Sequence, residues 1–297
     1  MPDSAVIPAT TTFRMTSLAW VLAVQSATEM LRGEAGVESS GSGSGPEAAI
    51  LAGLDEPTRA GIASELNTAG ITDDAGTIQP PWLRTLGRGA AAPIQVGLVS
   101  RWGGFSTHCQ VNLFDGRGIA VEFTRPVATA ADGSVAAISV ADVVTVTLLS
   151  EAVLWPVVAR SMPPFPELTA GAERPDSGPV PGRDGEKTTL SAADVAALAH
   201  GRAGGIPPGV SAAVGAAKAT VYLDVQSRAS GTGLTYHGAG VWALSDSLYS
   251  VRTTGPASAR RLVMVETPGG DIARQLVWHV LGAHDFLARE TPTEAAS

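Results

Sequence analysis

Acid–base, nucleophilic and metal chemistry would be sought first at the five histidines, positions 108, 200, 237, 279 and 284, and at their neighbours. His279 and His284 are five apart in a helical stretch, which sends them to different faces and off the i, i+4 row that a metal site uses. The run Gly104-Phe105-Ser106-Thr107-His108 brings a hydroxyl near an imidazole, and a hydrolase using Ser106 and His108 is the enzymatic alternative. Adjacent positions on a strand point to opposite faces, which weighs against it. That alternative requires a carboxylate within hydrogen-bond reach to complete a Ser–His–acid set. Asp73-Asp74 and the acids around 173–186 lack the spacing of a calcium loop. Cys109, the single cysteine, sits in an alternating apolar run and reads as a small buried hydrophobe. Gly238-Ala239-Gly240-Val241-Trp242-Ala243 matches Gly-x-Gly-x-x-Ala literally, but a dinucleotide site needs a helix to open at that turn. Here a strand-like pattern continues through Trp242 and Leu244, so the glycines are read as relieving crowding in a strand. There is no Gly-x-Ser-x-Gly elbow, no His-Glu-x-x-His and no phosphate-binding Gly-x-x-x-x-Gly-Lys. The residue types argue for a protein without catalysis, cofactor or metal.

The 297 residues are 44% apolar and 16% charged, enough to bury a sizeable core and unlike a disordered chain. Lys and Arg number 20 against 28 Asp and Glu, a net charge of −8. Such an acidic chain, with no basic run, is a poor partner for nucleic acid or for an anionic membrane surface. No segment approaches the ~20 apolar residues of a membrane span. The run Leu18–Val24 is at the lower limit of a signal h-region and is preceded by one Arg14, offset by Asp3. One cysteine forms no internal disulfide. These features lead us to expect a cytoplasmic protein.

Elements that could position any site follow from periodicity. Residues 1–13 carry no pattern and read as a loose arm. Leu18, Val21, Leu22, Met30 and Leu31 recur at helical spacing behind a cap at Thr16 or Ser17. Residues 39–45 are a Ser/Gly linker, and helical patterns return over 48–54, Glu56–Thr68 and from Pro80-Pro81 through Leu86. From Ile94 the period becomes two: strands over 94–102, 108–113, 119–124, 134–140 and 143–149, with a hairpin turn at Asp115-Gly116. Short connections make this meander antiparallel. Glu151–Met162 is a helix tightened at Pro156, and the Pro- and Gly-rich stretch 163–188 is a linker or loop. Helices are expected from Ser191 and over 209–218. Strands follow at 219–226, 234–244, 248–253 and 261–266, then an amphipathic helix over 271–289 with Ile272, Leu276, Val280 and Leu287 inward.

Each half thus runs helices, then a meander, then a closing helix. The strand–turn–helix junction at Val144–Trp155 aligns with that at Leu262–Trp278, and Trp155 and Trp278 are expected to be buried at equivalent positions. The fold class is α+β, with central antiparallel sheet from two quasi-twofold related halves, flanked by helical bundles.

The order Ile94-Gln95-Val96-Gly97-Leu98-Val99-Ser100-Arg101-Trp102-Gly103-Gly104, a short meander, Val144-Thr145-Val146, and a closing helix running into Met162-Pro163-Pro164-Phe165-Pro166 resembles the EspG family. These are cytosolic chaperones of actinobacterial type VII (ESX) secretion systems. Gly238–Trp242 falls where the family has a Gly-rich strand, Ser247-Leu248-Tyr249 lies near its later aromatic strand, and Gly269–Leu281 matches its closing helix. The resemblance spans 14–289, as one domain of quasi-repeats 14–162 and 189–289. The Ser/Gly insert at 39–45, the long linker at 163–188 and missing arginines in the C-terminal strands depart from the pattern. The resemblance implies a non-catalytic chaperone that keeps a PE–PPE-type substrate pair soluble by covering the apolar tip of its helical bundle. It implies contacts from the 125–133 loop, with Arg125, Asp132 and Gly133, and from the last helix, with Gln275, Val277, His279 and Phe286. Val277 and Phe286 would form the apolar centre, and Gln275 and His279 the polar rim. A third reading is that the pseudo-symmetry serves self-association, as a homodimer.

Overall fold

A computed structural model describes residues 10–34, 53–129, 135–172, 216–229, 233–254 and 261–290. Ten antiparallel strands form one sheet: β1 (Thr10–Thr16), β2 (Ile94–Trp102), β3 (Phe105–Phe114), β4 (Arg117–Thr129), β5 (Val135–Ala137), β6 (Val143–Ser150), β7 (Ala219–Arg228), β8 (Thr235–Leu244), β9 (Leu248–Thr254) and β10 (Arg261–Glu266). Their order is β1-β6-β4-β3-β2-β7-β8-β9-β10, with β5 on β4. Outward from the β2–β7 seam the strands follow chain order on both sides, except that β1 lies at the far edge beyond β6. The seam has Leu98 opposite Leu223, both buried, so the two halves share one continuous core rather than meeting at a surface.

Two tight turns set the register of the first meander. Asp115 and Gly116 both have positive φ, 50° and 69°, as do Gly103 and Gly104 at 53° and 81°, the geometry of two-residue hairpins whose twist matches the strands. Asp115, not a glycine, is held there by a 2.6 Å hydrogen bond from Arg88 Nη1.

Helices α1 (Ser17–Glu34), α2 (Glu56–Thr68) and α3 (Pro80–Ala90) cover one face of the first half. Ala19, Ala23, Ala27, Ile62, Leu66, Trp82 and Leu83 pack there on Met15, Ile119, Val144 and Val146. The Thr16 hydroxyl accepts from Ala19 N at 3.2 Å, the expected cap of α1. The opposite face carries a one-turn 3₁₀ helix (Glu151–Val153), α4 (Leu154–Arg160), α5 (Pro166–Thr169) and α6 (Asp271–Glu290). Leu154, Val157 and Val158 of α4 and Ile272, Leu276 and Val280 of α6 join one cluster with the central strands. Both closing helices therefore lie on the same face.

Three expectations change. Residues 10–13 are not a loose arm: they begin β1, paired from Thr10↔Leu149 inward, with the Phe13 ring edge-on to Trp82 at 5.1 Å. The stretch 163–188 is not linker at its start, because Pro166 opens α5 and places Leu168 fully inside the core. Trp278 is not buried, whereas Trp155 is partly buried against the core. The Ser/Gly insert 39–45, the remainder of that stretch beyond Ala172 and the expected helix from Ser191 lie outside the described residues, as does most of the expected helix over 209–218.

Candidate interaction surface

α6 is seated by a buried carboxylate. Asp271, fully enclosed in the first turn, accepts from Trp242 Nε1 at 2.9 Å and from Arg252 Nη2 at 3.0 and 3.1 Å, and is also paired with Arg274. Such a charge is tolerable inside only because the cations and the indole satisfy it, and a carboxylate at a helix N-terminus also meets the helix dipole. The helix then lies close on β8 because β8 is glycine-rich. A Cβ at Gly238 would overlap the His279 ring, and one at Gly240 the Trp242 ring. The Gly-x-Gly run is thus a strand cleared for side chains above it, as read from its continuing strand pattern.

At about 100° per residue, the core stripe Ile272–Leu276–Val280–Ala283 leaves Val277, Trp278 and Leu281 on the far side. These three are 47%, 67% and 59% exposed, an apolar stripe turned to solvent. His279 lies on the flank between: its Nδ1 is 3.1 Å from the Tyr236 hydroxyl. Burial foremost, then the nearby His237, lowers its pKa against an opposing pull from Asp224. Phe286 lies on the same flank, half-buried, 6.3 Å from the Tyr236 ring, and Gln275 is also half-buried. Of the four helix residues expected to contact a partner, Val277 alone points fully outward; the other three are engaged with or turned toward this protein. Further along, His284 Nε2 meets Glu151 Oε1 at 2.7 Å, tying α6 to the turn before α4.

Arg125 is not in a loop but inside β4, which runs to Thr129, and Asp132 and Gly133 lie outside the described residues. In the ladder Arg101 is opposite Ser106, and Ser106 is opposite Arg125, which puts the three on one face at the β2–β3 hairpin end. Ser106 and His108, two apart on β3, share that face, and Ser106 Oγ is 3.1 Å from His108 Nε2. The face-alternation objection applies to Thr107 and not to this pair. What disqualifies the dyad is its surroundings. Arg125 Nη2 donates to the same Nε2 at 3.2 Å, and the His108 ring stacks on Phe123 at 4.9 Å. Burial, then Arg125 and Arg101, lowers the His108 pKa to about 4. A general base must accept positive charge, and here two guanidiniums oppose it where a triad supplies a carboxylate.

Cys109 is buried on the other face, and burial pushes its thiol up to about 11, the property of a structural residue. No group of three metal-ligating side chains occurs among the described residues.

Sequence reasoning missed Trp278 and Leu281. The signal was present: Leu276-Val277-Trp278 are three consecutive apolar residues, which no single helix face can bury. The exposed aromatics Trp102 and Phe105 stand at the β2–β3 hairpin tip, their rings 6.3 Å apart.

No protein-family model matches the chain, and no curated protein does. Among solved structures, it is similar to the type VII secretion system chaperone EspG5 of Mycobacterium tuberculosis, determined in complex with the PE25–PPE41 dimer. That similarity covers 95% of this chain and 98% of the other, at 9% identity and a TM-score of 0.47.

Proposed function

We propose that this chain is a non-catalytic chaperone of type VII secretion. It holds a PE–PPE-type or related helical substrate pair soluble in the cytoplasm of an actinobacterium by covering the apolar tip of the pair's helical bundle. Residues 14–289 act as one unit of quasi-repeats 14–162 and 189–289. The observation that carries the reading is the outer stripe of α6, Val277, Trp278 and Leu281, on a helix whose core face is already satisfied. A contiguous apolar stripe centred on an exposed tryptophan is the composition of an interface centre, and a helical tip is the shape it would cover. The motif order along the sequence supports the family reading.

The test is co-expression with PE–PPE-type pairs encoded beside its gene, followed by sizing. A co-eluting ternary complex, lost when Trp278 and Leu281 are both replaced by Asp while the thermal melt stays in place, supports the reading. Pairs that never co-elute, or double variants that bind as the parent does, overturn it. Self-association through the same stripe would instead give a mass for the chain alone that rises with concentration.

A further inference from the structure

We propose that the cavity between the end of α3 and strands β2, β7 and β8 binds a small polyhydroxylated oxyanion, a sugar or polyol bearing a phosphate or carboxylate. The site is separate from the outer stripe of α6, and the proposal goes beyond the chaperone reading.

The cavity has a volume of about 850 Å³, within the range of small-molecule sites. One side of it is a polar row built by strand register. Gln95 stands opposite Gln226, and Gln226 opposite His237, so three adjacent strands turn an amide, an amide and an imidazole to one face. In the next row inward Gly97 and Ala239 flank Asp224, and their small size keeps that floor low. In the next row outward Arg228 stands opposite Thr235. Gln95, Gln226, Arg228, Thr235 and His237 all line the cavity and are all exposed. The other side is Ala90-Ala91-Ala92-Pro93, apolar in its side chains, with the Ala91 and Ala92 amides spent on the Gly87 and Gly89 carbonyls. A polar wall facing an apolar one suits a molecule with one hydroxyl-bearing and one carbon-bearing face, as sugars and polyols have.

The charge selects an anion. The chain carries 28 acidic residues, yet none is among the described residues that line the cavity. Arg228 does line it, and its side chain meets no carboxylate among the described residues. Asp224, in the inner row, is already engaged. It accepts from Gln226 Nε2 at 2.6 Å and from the Tyr222 hydroxyl at 3.4 Å, and it pairs with His237 Nε2. Burial, then Asp224, pushes the Tyr222 hydroxyl up to about 12, so it stays a donor to that carboxylate. His237 is thereby fixed through one nitrogen and keeps Nδ1 for a ligand. Arg228 supplies the forked donor that phosphate and carboxylate take, while Gln95 and Thr235 partner hydroxyls. Gln95 belongs to the first half, and Arg228 and His237 to the second. An occupant therefore ties the halves across the seam and stabilises the fold by mass action.

The test titrates the full chain, at constant ionic strength, with inositol monophosphate and separately with gluconate, following the His237 ring signals by NMR. The two anions tell phosphate from carboxylate recognition, and neutral inositol and inorganic phosphate are the controls. At least one anion should shift His237 saturably and raise the melting temperature, with a dissociation constant about 10-fold or more below both controls. Arg228→Gln, at an exposed position, should weaken that binding roughly 10-fold and leave the ligand-free melt unchanged. Gln95→Ala should weaken it from the other half. No saturable shift with either anion, equally tight binding of inositol or inorganic phosphate, or unchanged affinity in Arg228→Gln overturns the proposal. These readouts involve no protein partner, so failure of a PE–PPE-type pair to co-elute bears on the chaperone reading alone.

Discussion

The two closing helices, α4 and α6, follow junctions that align in sequence and end as different objects. α4 is two turns long, buries Leu154, Val157 and Val158, and keeps Trp155 against the core. α6 runs for 20 residues, buries an equivalent stripe, and presents a second one, with Trp278, to water. A helix needs one apolar face to seat itself on a sheet, and α4 has that face and no more. The surplus on α6 contributes nothing to its own seat, and it is the surface on which the proposed function rests. The comparison also separates two tryptophans that sequence alignment equates: one is packing and the other is display.

The sharpest way to break the comparison is to unseat α6. Asp271→Leu leaves Arg252, Arg274 and the Trp242 indole without their shared acceptor, and should cost about 3–5 kcal/mol, read as a lower urea midpoint. If stability is unchanged, α6 is not held by its buried carboxylate. Next comes the close approach on β8. Gly238→Val drives side-chain atoms into the His279 ring and should destabilise by about 1–3 kcal/mol, with loss of the Tyr236–His279 contact visible in histidine NMR shifts.

The tryptophans sharpen the comparison directly. Trp155→Ala should destabilise by about 2 kcal/mol, whereas Trp278→Ala should stay within ~0.5 kcal/mol and instead reduce capture of a helical partner. Equal costs for the two would mean that Trp278 is packed after all. Finally, the hairpin end carries a pH signature. The unfolded chain protonates His108 near its ordinary 6.5, and the folded chain only near 4. Its contribution is therefore complete above about pH 7 and is lost as pH falls from 6.5 toward 4. After a discount for partial exposure the loss is about 1–2 kcal/mol, and it should vanish from the stability–pH profile of His108→Gln.

Much of this was legible in the chain. The alternation through Ile94–Trp102 and Ala219–Arg228 gave strands with the right face inward, since Leu98 and Leu223 sit on the period-two stripe. The inward stripe of α6 followed from its 3.6-residue period. Less legible was anything set by non-local partners. β1 has no alternation of its own worth reading, Thr-Thr-Thr-Phe-Arg-Met-Thr, and exists because β6 offers it an edge. Leu168 reads as a loop residue until α4 turns the chain back over the core. Trp278 was assigned to the interior by analogy with Trp155, although helical spacing alone puts it opposite Leu276. The guanidinium–imidazole contact at the hairpin end depends on cross-strand register, which fixes Ser106 beside both arginines and which local spacing does not specify.

The β2–β7 seam also bears on how the molecule is made. Nine cross-strand pairs, from Ile94↔Ser227 to Trp102↔Ala219, join segments that a ribosome releases far apart in time. The hairpins of each half close over a few residues and can form early, whereas the seam waits for the second half of the chain. Until then β2 is an unpaired apolar edge at the centre of the future sheet, the kind of edge that recruits another chain. A protein read here as guarding others from aggregation would itself be most exposed to it during synthesis, and refolding from urea should show its slowest phase at the seam.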